Sequence, residues 1–209
     1  MILNSIGKKY NCDKCDVHHT HKGETYFDVY EKYFSRLRDS EITFLELGVR
    51  DGASVLTWLE YFPKAKIVGI DIQPECKRFT NERLSVEIGS QGDPEFMKSV
   101  CDKYGPFDIV LDDASHINTL TIKSFKLISS YLKEDGMYII EDLRASYVDL
   151  TEDVKQWPGM HLNTDLCADN TKTRKDLDAL LLGIIKDMDY RTTMFTSVNF
   201  HSQMVILNK

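Results

Sequence analysis

The sequence predicts a doubly wound α/β fold, with a mostly parallel seven-stranded sheet, an antiparallel C-terminal strand and an N-terminal helical arm. Three observations carry that prediction. From residue 42 onward, short apolar runs with little polar alternation recur, as expected of strands covered on both faces. Helical stretches separate them, which makes right-handed βαβ units and a parallel sheet. The last two runs are joined by a link too short for a crossover, so they lie antiparallel to each other.

The elements follow in order. The first 24 residues are polar and rich in Cys, His and Lys, and read as an irregular arm. Thr25-Tyr-Phe-Asp28 resembles a capping box, with Asp for the usual Glu. Tyr26, Phe27, Tyr30, Tyr33, Phe34 and Leu37 then recur at helical spacing, predicting an amphipathic helix over 25–38. Strands are expected at 42–47, 66–71, 84–88, 107–112 and 137–141, with helices near 53–61, 75–82, 93–104 and 117–133. A polar stretch follows to about residue 172. A further helix near 174–187 opens on Thr173-Arg-Lys-Asp176, and strands at about 192–200 and 203–208 end the sequence. The expected organisation is a single domain over 1–209, with an arm and helix over 1–40 and the core over 41–209.

Composition narrows the partners. The chain has 209 residues, 42% hydrophobic and 28% charged, an ordinary globular composition. A net charge of −7 argues against a nucleic-acid backbone as the main partner. The N-terminus has no apolar stretch of signal-peptide length. The longest apolar run, Ala179 to Ile185, is interrupted by Gly183 and too short to span a bilayer. A cytoplasmic location is the default expectation. Five cysteines, an odd and scattered set, fit free thiols better than a disulfide framework.

The first strand ends in Leu45-Glu46-Leu47-Gly48-Val49-Arg50-Asp51-Gly52-Ala53-Ser54. Glycines after a buried strand let a ligand approach the backbone, and the next helix aims its N-terminus at the same place. The second strand ends in Asp71, whose carboxylate suits a ribose diol. A dinucleotide fingerprint wants G-x-G-x-x-G, whereas here Gly48 is followed by Arg50 and Gly52. Glu46-x-Gly48-x-x-x-Gly52 resembles motif I of the class I S-adenosylmethionine-dependent methyltransferases, a Rossmann-like family, except that Arg50 stands for its middle glycine. Glu46, Gly48, Gly52, Ser54, Asp71 and the strand-end Asp112 are the candidate cofactor contacts.

The fourth and fifth strands each end in two acids, Asp112-Asp113 and Glu141-Asp142. Ends of adjacent parallel strands form the ligand crevice, and four carboxylates there repel one another. Protonation, basic neighbours or a hard divalent cation must compensate, and oxygen-only ligands suit Mg2+. His116, three residues past Asp113, can reach a hydroxyl held nearby and act as a base near neutral pH.

The runs Leu111-Asp-Asp-Ala-Ser-His-Ile117 and Tyr138-Ile-Ile-Glu-Asp-Leu-Arg-Ala-Ser-Tyr147 resemble the metal-dependent sugar O-methyltransferases of macrolide and related natural-product pathways, with Ala114 for the family's glycine. The resemblance implies Asp113, Glu141 and Asp142 as Mg2+ ligands, with Mn2+ as the alternative, and His116 as general base. It also implies that Asn11-Cys-Asp-Lys14 forms a cofactor-side arm, and that Gln91, in Gly89-Ser-Gln-Gly-Asp93, lies near the adenine. The implied partner is a small hydroxylated acceptor such as a sugar, with no nucleic acid and no membrane; a homo-oligomer is left open.

Competing readings stand beside these. Cys12-x-x-Cys15 with His18, His19 and His21 has half the look of a zinc site, but the histidine spacing is not that of a common finger. Tyr26 and Tyr30 read as core aromatics before pocket residues, and Arg144, Tyr147 and Trp157 as loop residues able to meet an acceptor. Cephalosporin hydroxylase-like oxygenases resemble the fold and its acidic cluster. A non-catalytic cofactor-binding module is the third alternative.

Overall fold

A computed structural model describes residues 2–15, 23–150 and 168–209. Helix α1 (Ile2–Lys9) and α2 (Tyr26–Phe34) precede the strand–helix alternation β1 (Thr43–Leu47), α3 (Ala53–Tyr61), β2 (Lys66–Asp71), β3 (Leu84–Ile88), α4 (Pro94–Tyr104), β4 (Phe107–Asp112), α5 (Asn118–Ile128) and β5 (Leu132–Ile140). The chain continues into α6 (Asn170–Asp189), β6 (Ser197–His201) and β7 (Met204–Asn208). The seven strands lie in the order β3-β2-β1-β4-β5-β7-β6. β1 to β5 are mutually parallel. β7 runs antiparallel to both of its neighbours, so it is the one reversed strand. The fold class expected from the sequence is the one observed.

Strand alternation divides the core in two. Phe44, Ile67, Ile109, Leu111, Met137, Ile139 and Ile206 face the side covered by α1, α2 and α3. Leu45, Leu47, Val68, Val110, Tyr138, Ile140 and Leu207 face α4, α5 and α6. Both faces of each central strand are therefore apolar, which is why the strand sequences lack a polar side. The strand order reverses between β1 and β4, and the loops leaving those two strands part there to open a crevice.

The N-terminal residues correct the irregular arm expected from their polarity. α1 is helical because Leu3 and Ile6 turn inward, with Leu3 fully buried, while Gly7 meets the Phe27 ring so closely that a Cβ would sit 2.1 Å from it. The helix adds apolar surface to the same core as β1 rather than hanging outside it. α2 starts where expected: Thr25 caps Asp28, and the Asp28 side chain returns to the Thr25 N–H. It ends at Phe34 and passes into a 3₁₀ turn over Ser35–Leu37.

Other boundaries shift for local reasons. The expected helix at 75–82 is a 3₁₀ stretch, Pro74–Phe79, and that expected at 117–133 stops at Ile128 before a 3₁₀ turn. β5 begins five residues earlier than expected, because Leu132 pairs with Phe107 across an irregularity in the ladder. α6 begins at Asn170, capped by Asp169 on the Thr171 N–H, so Thr173 lies inside the helix instead of capping it. The sixth strand is confined to 197–201. Trp157, Cys167, His18, His19 and His21 lie outside the described residues. Among the described residues no helix is long and apolar enough to cross a membrane.

Candidate functional site

The turn after β1 is built for close approach. Gly48 has φ +96°, and a Cβ there would lie 2.3 Å from the Asp113 carbonyl oxygen. Gly52 has φ +84°, caps α3, and has the Phe79 ring 2.5 Å from where a Cβ would sit. Arg50, the departure from the motif's middle glycine, takes the left-handed conformation regardless, at φ +52°. Asp71 is the device that holds this turn: its Oδ2 accepts the Val49 and Arg50 N–H groups at 2.9 and 2.8 Å, and Oδ1 accepts that of Gln73 at 2.9 Å. With three backbone N–H groups on its two oxygens, and the Cys76 thiol beside it, the Asp71 carboxylate is a structural part of the turn.

Glu46 points from β1 into the α3 side and is wholly buried. Its Oε2 accepts the Trp58 indole N–H at 3.1 Å, while Oε1 is buried without a hydrogen-bond partner. Burial pushes its pKa up to about 8, against the opposing pull of Lys14. Ser54, half-buried in the first turn of α3, eases the charged form of the same carboxylate. An orphaned buried acceptor is costly unless a donor completes it.

Gln91 and Asp112 meet on the other face of the sheet. The Gln91 amide donates to Asp112 Oδ1 at 3.2 Å and to Ser124 Oγ at 2.9 Å, and its oxygen accepts the Ser115 N–H at 3.0 Å. Burial raises the Asp112 pKa to about 6. Gln91 therefore ties the loop after β3 to the end of β4, with both ends of its amide engaged.

Asp113 and Glu141 share the Glu46 side, because each stands an even number of residues from a core residue of that side on its own strand, Leu111 and Ile139. Lys14 lies between them, hydrogen-bonded to Asp113 and, at 2.7 Å, to Glu141 Oε2. Burial, the largest influence on Lys14, opposes its charge and is outweighed by Asp113, Glu141 and Glu46, which leave its pKa well above the ordinary value. Tyr30 donates to Glu141, and Tyr26 donates to Asp142 Oδ1 at 2.6 Å. Burial, then Asp113, holds the Glu141 carboxyl well above the usual range, with Lys14 acting against them. His116 Nε2 stands 3.5 Å from Asp142 Oδ2 and 3.9 Å from Asp113 Oδ1.

Asp113, His116 and Asp142 each offer a ligand atom, and these atoms lie within 4.8 Å of one another; all three residues are half-buried. Two carboxylates and an imidazole at that spacing fit a divalent cation. Of the ligands implied by the sequence resemblance, Asp113 and Asp142 are in this group; Glu141 lies deeper, engaged by Lys14 and Tyr30. Cys12 is a buried free thiol, and the half-buried Cys15 donates its thiol to the Cys12 carbonyl at 2.8 Å. Sequence reasoning treated Tyr26 and Tyr30 as core. They are core by burial, yet their hydroxyls end on the acidic cluster, as their i, i+4 spacing on one helix face permits.

The chain is similar to characterised enzymes. It is 33% identical over 164 residues to L-olivosyl-oleandolide 3-O-methyltransferase of Streptomyces antibioticus, covering 75% of this chain and 39% of that protein. It is 35% identical over 138 residues to mycinamicin VI 2''-O-methyltransferase of Micromonospora griseorubida, covering 62% of this chain and 32% of that protein. The chain thus spans less than two fifths of the length of these curated relatives. A solved structure of the MycE methyltransferase of the mycinamycin pathway, in complex with Mg and SAH, superposes with a TM-score of 0.77 at 25% identity, covering 98% of this chain and 53% of that one. No family model matches the sequence. Over part of their length the chain is homologous to the sugar O-methyltransferases of macrolide and tetracenomycin pathways, and it shares the fold of the MycE methyltransferase.

Proposed function

We propose that the chain is an S-adenosylmethionine-dependent O-methyltransferase, assisted by Mg2+ or Mn2+, that methylates a hydroxyl of a small molecule such as a sugar of a glycosylated natural product. The observation that carries this reading is the contact between the two halves of the site. The Gly48 turn packs directly on the backbone of Asp113, so a cofactor lying on that turn is brought beside Asp113, His116 and Asp142.

The residues suit both groups. Gly48 leaves the space a Cβ would fill, Glu46 Oε1 offers a buried acceptor to an ammonium, and Asp71 ends β2 beside the same turn, where its carboxylate would face a ribose hydroxyl. Asp113 and Asp142 would hold the cation, with Glu141 behind them; a bound cation would lower the acceptor hydroxyl's pKa as a Lewis acid. When bound, the cofactor supplies an electrophilic methyl group on sulfur. His116 takes the hydroxyl proton at Nε2, which stands 3.5 Å from Asp142 and 3.9 Å from Asp113. The β1 turn adjoins the β4 and β5 ends, so the two reactants would be held close together, and such proximity would contribute much of the acceleration. A facial iron site of the oxygenase type uses two histidines and one carboxylate; the group observed among the described residues has the reverse count.

Cytoplasmic residence fits the free thiols Cys12, Cys76 and Cys101. The test is calorimetry with S-adenosylhomocysteine, with Mg2+ or with chelator, on wild type and Asp113→Ala, followed by transfer of labelled methyl to rhamnosyl and olivosyl glycosides. Nucleoside binding in wild type, with a metal effect lost in Asp113→Ala and label in the sugar, is the expected result. Absence of nucleoside binding would refute the reading; binding without any metal effect would refute its metal half.

A further inference from the structure

Behind His116 lies a pair of buried amides that the reaction does not call for. Asn170 is fully buried and Asn118 is 1% exposed. Asn170 Nδ2 donates to the His116 carbonyl at 2.7 Å and to the Ala145 carbonyl at 3.0 Å, while its Oδ1 accepts the Asn118 N–H at 3.0 Å. Two carbonyls on one side and an N–H on the other leave only one orientation of the amide that satisfies all three. Asn118 braces it from behind, with Nδ2 within reach of the Ser146 and Asn170 carbonyls and the Thr173 hydroxyl.

The two carbonyls that Asn170 grips belong to the two turns that carry the site. His116 itself has φ +55°, a left-handed conformation that an L-residue keeps only when its surroundings impose it. Asp142 has φ +52°, and its carbonyl accepts the Ala145 N–H at 2.8 Å, so Ala145 closes the turn that Asp142 opens. A helix-starting asparagine is ordinarily a cap, but Asp169 already caps α6 on the Thr171 N–H. The Asn170 side chain therefore serves the turns, not its own helix.

We infer that Asn170 is a positioning residue: by donating one amide hydrogen to each turn it sets the His116 imidazole against the Asp142 carboxylate, and α6 thereby fixes the geometry of the site. The meaning of that geometry for catalysis rests on the O-methyltransferase reading above. Asn170→Asp is the informative change, because it keeps the acceptor for the Asn118 N–H and removes both donors. Asn118→Ala is the comparator: it loosens the same junction and leaves the Asn170 bond to His116 in place.

The readout is the carbon-bound ring signal of His116 in a 13C–1H spectrum, identified by its loss in His116→Gln, with S-adenosylhomocysteine affinity measured alongside. The expected result is one sharp His116 signal in wild type and Asn118→Ala, a shifted or split signal in Asn170→Asp, and unchanged nucleoside affinity in all three. An unchanged His116 signal in folded Asn170→Asp overturns the inference. Wild type supplies a check independent of whether the variant folds: both Asn170 side-chain amide protons should be protected from exchange with solvent, and free exchange overturns it equally. Failure of wild type to bind the nucleoside would instead strike the function, and with it the catalytic role of the clamp, while the His116 signal would still report the geometry.

Discussion

Replacing Glu46 by Gln should stabilise the protein without ligand at neutral pH and weaken nucleoside binding. Burial holds the Glu46 pKa at about 8 against an ordinary 4.5. A carboxyl whose pKa rises on folding binds its proton more tightly in the folded chain. Its contribution to stability is therefore greatest below the unfolded value and is lost as pH climbs toward about 8. The full gap is worth on the order of 5 kcal/mol. Between about pH 5.5 and about pH 7.5 the loss is roughly 2.5 kcal/mol, or about 5–10 °C in Tm for a chain of this length. Glutamine keeps an oxygen for the Trp58 indole and cannot ionise, so that part of the pH dependence should vanish. An ammonium on Oε1 would hold Glu46 ionised, and a hydrogen bond between charged partners contributes about 1.5–3 kcal/mol. Glu46→Gln should accordingly weaken S-adenosylhomocysteine roughly 10- to 100-fold. The assays are thermal unfolding across pH and calorimetry with the nucleoside. Parallel Tm–pH profiles in wild type and variant, with equal affinity, would refute both the buried carboxyl and its assigned role.

Gly48→Ala should abolish measurable nucleoside binding, since the left-handed backbone alone costs about 1–3 kcal/mol and the new Cβ would collide with the Asp113 carbonyl; calorimetry and thermal unfolding read both effects. Lys14→Met leaves Asp113 and Glu141 without their buried cation and should cost about 3–5 kcal/mol, seen as a lower urea midpoint, with added Mg2+ restoring part of it. Tyr30→Phe removes one donor to a buried carboxylate and should cost about 1–3 kcal/mol while keeping the aromatic packing with Phe34 and Trp58, so near-ultraviolet circular dichroism should stay close to wild type.

The strands and their ligand edge were legible because they depend on local signals. Three strands fall on their expected limits, since an unbroken apolar run bounded by polar turns leaves little choice of end. The acids at the ends of β4 and β5 were legible for the same reason, and strand parity already assigns Glu46, Asp113 and Glu141 to one face and Asp112 to the other. The contacts that tune those acids were not legible. Lys14 reaches Asp113 across 99 residues of sequence and Tyr30 reaches Glu141 across 111. Such pairs are fixed by how α2 and the arm pack on the sheet, which no window of sequence contains. α1 was hidden by its polar face: two inward apolar residues and a glycine suffice to dock it, too few to stand out against the charged surroundings.

Those distant contacts also explain how an acidic cluster can exist before any ligand is counted. Each carboxylate on the Glu46 face has a partner from outside its own strand: the Trp58 indole for Glu46, Lys14 for Asp113, and the same Lys14 with Tyr30 for Glu141. Asp142 takes Tyr26 on one oxygen and turns the other toward His116. These partners offset part of the mutual repulsion, while Asp113, Asp142 and His116 converge at half-buried positions. Burial and Asp113 still hold the Glu141 carboxyl well above the usual range, with Lys14 offsetting part of that push. The arm and α2, which lie outside the βαβ pattern, thus complete the electrostatics of a site whose backbone the doubly wound sheet supplies.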